Sequence, residues 1–245
     1  MATAVPVERD AVAQAFADPA VEVSLPGVRL HRTGRHDLLA AGVGPAPAGA
    51  ATATALTAAA LAGEPYALVL SAGIAGGFTP DVSGASTAAA ASPGAPVGSL
   101  VVADEITAAD LGAETADGFV PVTGLGFGTV THRPPETLIR DVAAVTGART
   151  GTVLTVSTVT GTAARAAALR ARHPRALAEA MEGFGVAEAA ALHGVPVLEI
   201  RAVSNPVGPR DRAAWRIGAA LAALTGAFGK LAPVLESWNP HDHTD

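Results

Sequence analysis

The 245-residue chain contains no cysteine. That excludes a disulfide scaffold, a thiol nucleophile and a thiolate metal site. Aromatic residues are only 4%, and charged residues, at 16%, fall below the roughly 25% typical of soluble domains. Basic residues are outnumbered, 16 Lys and Arg against 22 Asp and Glu, for a net charge of −6. A nucleic-acid binder needs a basic face to neutralise phosphates, so nucleic acid is not an expected partner. Long hydrophobic runs are missing as well. Stretches such as Ala67-Leu68-Val69-Leu70 fall far short of the roughly 18–20 apolar residues of a membrane span. Glu8, Arg9 and Asp10 stand where the apolar region of a signal peptide would have to be. The expected setting is therefore the cytoplasm, away from the membrane.

What the chain has instead is 49% hydrophobic residues arranged in alternating strand-like and helix-like runs. Strands are expected at Met1–Val5, at two extended pieces within Val21–Arg32 broken by Pro26-Gly27, and at Leu38–Val43, Tyr66–Ser71, Ser99–Ala103, Thr150–Ser157 and Val195–Val203. Met1 sits almost on the Thr3-Ala4-Val5 segment, so the first strand should be short. Helices are expected at Glu8–Ala17, Ala46–Ala62, Glu136–Val145, Gly161–Arg172, Glu179–His193 and Arg210–Leu235, the fifth stopped by Gly194. Thr107–Pro135 has little periodicity. Ser83–Pro96 is low in complexity and reads as a mobile loop, and residues 237–245 read as a flexible tail. The alternation implies one α/β domain over residues 1–236, with helices on both faces of a mixed or parallel sheet.

Four features can carry chemistry. Gly73-Ile74-Ala75-Gly76-Gly77 follows a buried strand, where glycines allow a ligand close to the backbone, although the spacing fits neither a dinucleotide fingerprint nor a phosphate loop. Taken alone, a tight turn explains it equally well. Met181-Glu182 opens a run of small apolar residues. The carboxylate there can be a partner for the helix dipole or can accept hydrogen bonds from vicinal hydroxyls. Ser204-Asn205-Pro206 closes an apolar strand, at a favoured ligand position or in an ordinary Asn-Pro turn. Glu8 follows the first strand, where a surface helix residue is the plain alternative. The seven histidines, among them His31, His132 and His193, form no metal-ligand pattern, and no metal or cofactor is expected.

In combination, the four resemble the layout of the purine nucleoside phosphorylase and 5′-methylthioadenosine nucleosidase superfamily over nearly the whole chain. Within it, the chain is most similar to the futalosine hydrolases. The closer match lies in Thr3–Val12, in Ser71–Phe78, in Ala109-Asp110-Leu111-Gly112-Ala113-Glu114 and in Ser204–Asp211. The resemblance implies a three-layer nucleoside phosphorylase-like fold with a central mixed sheet flanked by helices. It implies Glu8 as the base that activates water, Glu182 on the ribose hydroxyls with Met181 against the sugar, and Gly73, Ile74, Ala75, Gly76 and Ser204 around the base and substrate. Adenine-releasing relatives carry Asp where this chain has Asn205. An amide offers a donor and an acceptor but no proton to give outright, which suits a 6-oxopurine leaving group such as hypoxanthine. Hexameric phosphorylases enter the glycine segment with Arg and carry Ser within it, whereas Ser71 and Ile74 stand there in this chain, favouring water over phosphate.

A futalosine-type substrate also bears an aromatic carboxylate chain on C5′. Trp215, Phe184 and Phe127 are candidates for its apolar part and Arg210 and Arg212 for its charge; packing of the final helix is the plain alternative for Trp215. By resemblance the protein should be a homodimer or higher homo-oligomer, with the region from Thr107 to Phe127 reaching a neighbour's pocket. The rival readings are another purine nucleosidase, of methylthioadenosine or aminodeoxyfutalosine type, a phosphorylase, and a nucleoside-binding protein without catalysis.

Overall fold

The computed structural model describes residues 1–79 and 94–238. The low-complexity loop expected at 83–96 lies outside these residues except for its last three, and the expected tail lies outside them from residue 239. In chain order the elements are β1 (Ala2–Thr3), α1 (Pro6–Ala13), β2 (Val21–Leu25), β3 (Val28–Thr33), β4 (His36–Ala40), α2 (Pro45–Leu61), β5 (Val69–Gly77), β6 (Leu100–Ala108), β7 (Gly112–Thr115), β8 (Gly118–Pro121) and β9 (Thr131–His132). They continue with α3 (Glu136–Thr146), β10 (Arg149–Thr155), α4 (Ala163–Arg172), β11 (Ala176–Ala180), α5 (Gly183–Leu192), β12 (Val197–Pro206) and α6 (Ile217–Ser237).

Ten strands form one mixed sheet in the order β11-β10-β6-β12-β5-β1-β4-β3-β2, with β9 paired to β6. β5 runs parallel to β12 and β1, whereas β6 runs antiparallel to β12. β11 also pairs antiparallel with β5, so β11, β10, β6, β12 and β5 close into a ring. The period-2 alternation of side chains divides the core between the two faces. Val69, Val101, Ala103, Val197 and Val203 pack with α2 and α5 on one face. Leu70, Val102, Leu198, Ile200 and Ala202 pack under α1, α3 and α6 on the other. Leu169 of α4 covers Leu154 and Ala176 at the β10–β11 edge. By length and composition alone Arg212–Ser237 could cross a membrane, at mean hydropathy 1.5, which a count of uninterrupted apolar residues does not register. Its α6 part lays Ala220, Leu224, Ala227, Phe228 and Leu231 onto the sheet.

The structure departs from the sequence reading in four places that matter for the site. The glycine segment Gly73–Gly77 is not a turn; it is the second half of β5, hydrogen-bonded to neighbours on both sides. The helix expected from Glu179 begins at Gly183, and Ala176–Ala180 forms β11 instead. Alanine and glutamate favour helix in isolation, but all five residues are buried between β10 and β5, and tertiary context overrides so weak a preference. Ser204 and Asn205 belong to β12 rather than to a turn beyond it, at an irregularity in register between Val203 and Asn205. The final helix starts later than expected: Arg212–Ala214 is a single 3₁₀ turn, and Trp215 is extended. The Gly194 stop is as expected, with φ +66° directly after α5 and His193.

Candidate active site

The site grows from the ends of β1, β5 and β12 and the first turns of α1, α2 and α5. Glu8 is the third residue of α1. Its side chain folds back, so that Oε2 accepts from the backbone N–H of Ala4 (3.0 Å) and Val5 (3.2 Å). This satisfies helix-start donors that would otherwise lack partners. Oε1 accepts from the N–H of Ile74 in β5 at 2.8 Å, which ties the helix start to the central strand. Only 3% of Glu8 is exposed. Burial raises its pKa above the usual carboxylate range, against the opposing pull of the Ile74 N–H and Arg201.

Arg201, in the middle of β12, is fully buried. Its Nε donates to Glu199 Oε1 (2.8 Å), Nη1 to Glu182 Oε2 (3.2 Å) and Nη2 to Ser71 Oγ (2.9 Å). Burial disfavours its charge, but the three carboxylates Glu199, Glu182 and Glu8 outweigh that and raise its pKa further. Glu199 is itself fully buried and pushed up by burial, with one carboxylate oxygen unpartnered. Gly73 lies where Glu8 and Arg201 meet: a Cβ there would sit 2.7 Å from Glu8 Oε1 and 2.8 Å from Arg201 Nη1, so only glycine allows the approach. Glu182 immediately precedes α5, and its Oε1 accepts from the N–H of Gly44 at the start of α2 (3.3 Å). Carboxylates at the starts of α1 and α5 thus stand where helix dipoles favour negative charge.

Next to this cluster lies a cavity of about 310 Å³, lined among others by Gly76, Thr160, Glu179, Met181, Asn205 and Trp215. The Ser204 hydroxyl donates to Asn205 Oδ1 (2.9 Å), which makes Nδ2 the donating end of the amide. Nδ2 donates to Pro206 O at 3.0 Å, and among the described residues its second hydrogen has no other hydrogen-bond partner. Trp215 walls the cavity with Arg210 over its ring, 5.2 Å from the centroid, and Arg212 at 5.9 Å.

Of the residues singled out in the sequence, Glu8, Gly73, Ile74 and Glu182 therefore meet around Arg201, while Gly76, Met181, Asn205 and Trp215 meet at the cavity. Ala75 places its carbonyl 3.3 Å from the Ser204 hydroxyl, a longer alternative to Asn205 Oδ1 for its single hydrogen. Phe184 is not brought to the cavity; it is buried in the α5 core, with its ring 5.4 Å from that of His132. Phe127 is 61% exposed on the excursion between β6 and β9. The sequence reading gave Arg201 and Glu179 no role. A cation inside an apolar strand was the signal for the first; the second was hidden because the expected helix was begun at Glu179, inside β11. Among the described residues no group of His, Asp or Glu side chains is arranged to hold a metal.

A family model described as the phosphorylase superfamily matches residues 27–231. A futalosine hydrolase of Streptomyces coelicolor is 74% identical over 99% of this chain and 98% of its own. A futalosine hydrolase of Acidothermus cellulolyticus is 44% identical over 94% of this chain and 88% of its own. Among solved structures, the futalosine hydrolase of Helicobacter pylori superposes with a TM-score of 0.74 at 19% identity, covering 95% of this chain and 96% of its own. The 5′-methylthioadenosine/S-adenosylhomocysteine nucleosidase of the same organism does so with 0.76 at 17%, with the same coverage. The chain thus belongs to the phosphorylase superfamily and, within it, to the futalosine hydrolase family of N-glycosyl hydrolases.

Proposed function

We propose that the protein hydrolyses the N-glycosidic bond of futalosine to hypoxanthine and dehypoxanthine futalosine. The observation that carries the reading is the buried Glu8 carboxylate, held by three backbone N–H groups in one cluster with Arg201 and Glu182, whose chain neighbour Met181 lines the cavity that Asn205 also lines. Water attacks C1′ of the ribose, and its proton passes to Glu8. The bond from C1′ to the purine nitrogen breaks, and its electron pair leaves with the base. Glu182 accepts hydrogen bonds from the ribose hydroxyls, and its charge favours the oxocarbenium-like transition state. Arg201 positions Glu182 and balances part of the acidic charge. Met181 packs against the sugar, and Asn205 Nδ2 donates to the negative charge that develops on the N7/O6 edge of the purine.

Water rather than phosphate is the nucleophile in this reading. Phosphate would approach Glu8 and Glu182, and the cation between them, Arg201, is already engaged by Glu199, Glu182 and Ser71. The reaction so read is a step of menaquinone biosynthesis, carried out in the cytoplasm by a homo-oligomer. Purified protein should release hypoxanthine from futalosine in phosphate-free buffer, faster than it releases bases from inosine or methylthioadenosine. A strict phosphate requirement would make it a phosphorylase, and a preference for methylthioadenosine would move it to the adenine-releasing nucleosidases.

A further inference from the structure

Glu179 lines the cavity but has no part in the reaction as described. It is 6% exposed, and its orientation is fixed: Oε1 accepts from the N–H of Thr160 (2.7 Å) and Oε2 from the Thr160 hydroxyl (2.5 Å). Strand register places it opposite Asn205. Asn205 pairs with Gly76 on one side of β5, and Glu179 pairs with the same Gly76 on the other. Neighbouring strands lie about 4.8 Å apart, so an amide donor and a carboxylate acceptor flank a floor about 10 Å wide. That floor has no side chain. A Cβ on Gly76 would come within 3.0 Å of Val207 Cγ2 and 3.4 Å of Asn205 Nδ2 and would intrude on the slot.

We propose that Glu179 is the specificity-determining residue for the purine base, accepting the N1–H of a 6-oxopurine while Asn205 donates to its O6/N7 edge. The inference rests on the purine nucleoside reading given above. A carboxylate has room for about four hydrogen bonds, and Thr160 uses two, leaving acceptor capacity on the cavity side. Burial raises the pKa of Glu179, and the two Thr160 bonds oppose that by favouring the ionised, accepting form. Hypoxanthine carries a hydrogen on N1 and an acceptor at O6. Adenine presents a bare N1 lone pair, which would face the carboxylate acceptor to acceptor, and an amino group that would face Asn205 donor to donor. The slot therefore selects for the oxo base at two points, and Glu179 supplies the one that a buried acceptor enforces most strongly, because a polar group left unpaired there costs more than a weak bond gains.

Calorimetric titration of the full chain with hypoxanthine, adenine and 1-methylhypoxanthine tests this without turnover. The wild-type protein should bind hypoxanthine about 10- to 150-fold more tightly than either of the others, the range expected for one hydrogen bond to a charged group. In Glu179→Gln the hypoxanthine-to-adenine ratio should fall by about tenfold or more, because the carboxamide can donate to adenine N1. Parallel weakening of both bases, with the ratio kept, would mean that Glu179 only holds the Thr160 loop, and would overturn the proposal. Equal wild-type affinity for hypoxanthine and 1-methylhypoxanthine, or no hypoxanthine binding, would overturn it as well and does not depend on the variant folding. Futalosine turnover is read separately. Base discrimination without turnover would leave the Glu179 subsite standing and sink the substrate reading, and turnover without N1 discrimination would do the reverse.

Discussion

Glu8 is held between opposing effects. Burial disfavours its charge, while three backbone N–H groups and the Arg201 guanidinium favour it, and burial wins. A general base must be ionised, so activity is present above the pKa of Glu8 and lost as pH falls through it. Because that pKa is raised, the acid limb of kcat/KM should lie above the value of about 4.3 for an ordinary glutamate; a limb at or below that value would contradict the assignment. Arg201→Met removes the cation that lowers the pKa of Glu8, so the limb should move to still higher pH. The same change strands the carboxylates of Glu182 and Glu199 without their partner, which should cost about 3–5 kcal/mol of stability in urea unfolding. A variant as stable as the parent, with an unmoved pH profile, would show that the cluster is not coupled as described.

At the scale of elements, the site depends on how closely α2 and α5 approach. A Cβ on Gly185 would lie 2.0 Å from the carbonyl oxygen of Pro45, and one on Gly49 would lie 3.0 Å from that of Gly185. The residues just before these two helices, Gly44 and Glu182, are joined by the hydrogen bond from the Gly44 N–H to Glu182 Oε1. Gly185→Ala should push them apart, cost about 1–3 kcal/mol and raise the KM for futalosine, while free hypoxanthine binds as before. Weakened binding of the free base would show that the strain spreads into the purine slot. This scale also separates what was legible in the sequence from what was not. The β2–β3 hairpin was readable from Pro26-Gly27, with Gly27 at φ +76°, and α5 from its Gly194 stop. β11 was not, because Ala176-Leu177-Ala178-Glu179-Ala180 has helix-forming side chains and becomes a strand only through burial between two others. Losing that strand also hid Glu179. Glu8, Glu182 and Asn205 were readable as residues at strand and helix ends, which is where they lie, whereas the glycines of β5 looked like a turn because local composition cannot reveal that Glu8 and Arg201 crowd Gly73.

Over the whole molecule, the ring closed by β11 and β5 makes one site of residues far apart in the chain. It sets the Glu8–Glu182–Arg201 cluster and the Asn205–Gly76–Glu179 row at neighbouring stretches of the same two strands, β5 and β12. Leu111, Leu125 and Phe127 are all exposed on the excursion between β6 and β9. If it joins copies of the chain, as the homo-oligomer in our reading requires, Phe127→Asp should lower the mass seen by sedimentation, and an unchanged mass would place any self-association elsewhere. In the proposed reaction, Glu8 activates the water that cleaves the glycosidic bond. The most direct measurement compares single-turnover futalosine cleavage in phosphate-free buffer by the wild-type protein and Glu8→Gln, with hypoxanthine affinity measured on both. Glu8→Gln should lose about 10²- to 10⁴-fold in the cleavage rate with the affinity kept; a variant that cleaves at the parent's rate would show that Glu8 is not the base.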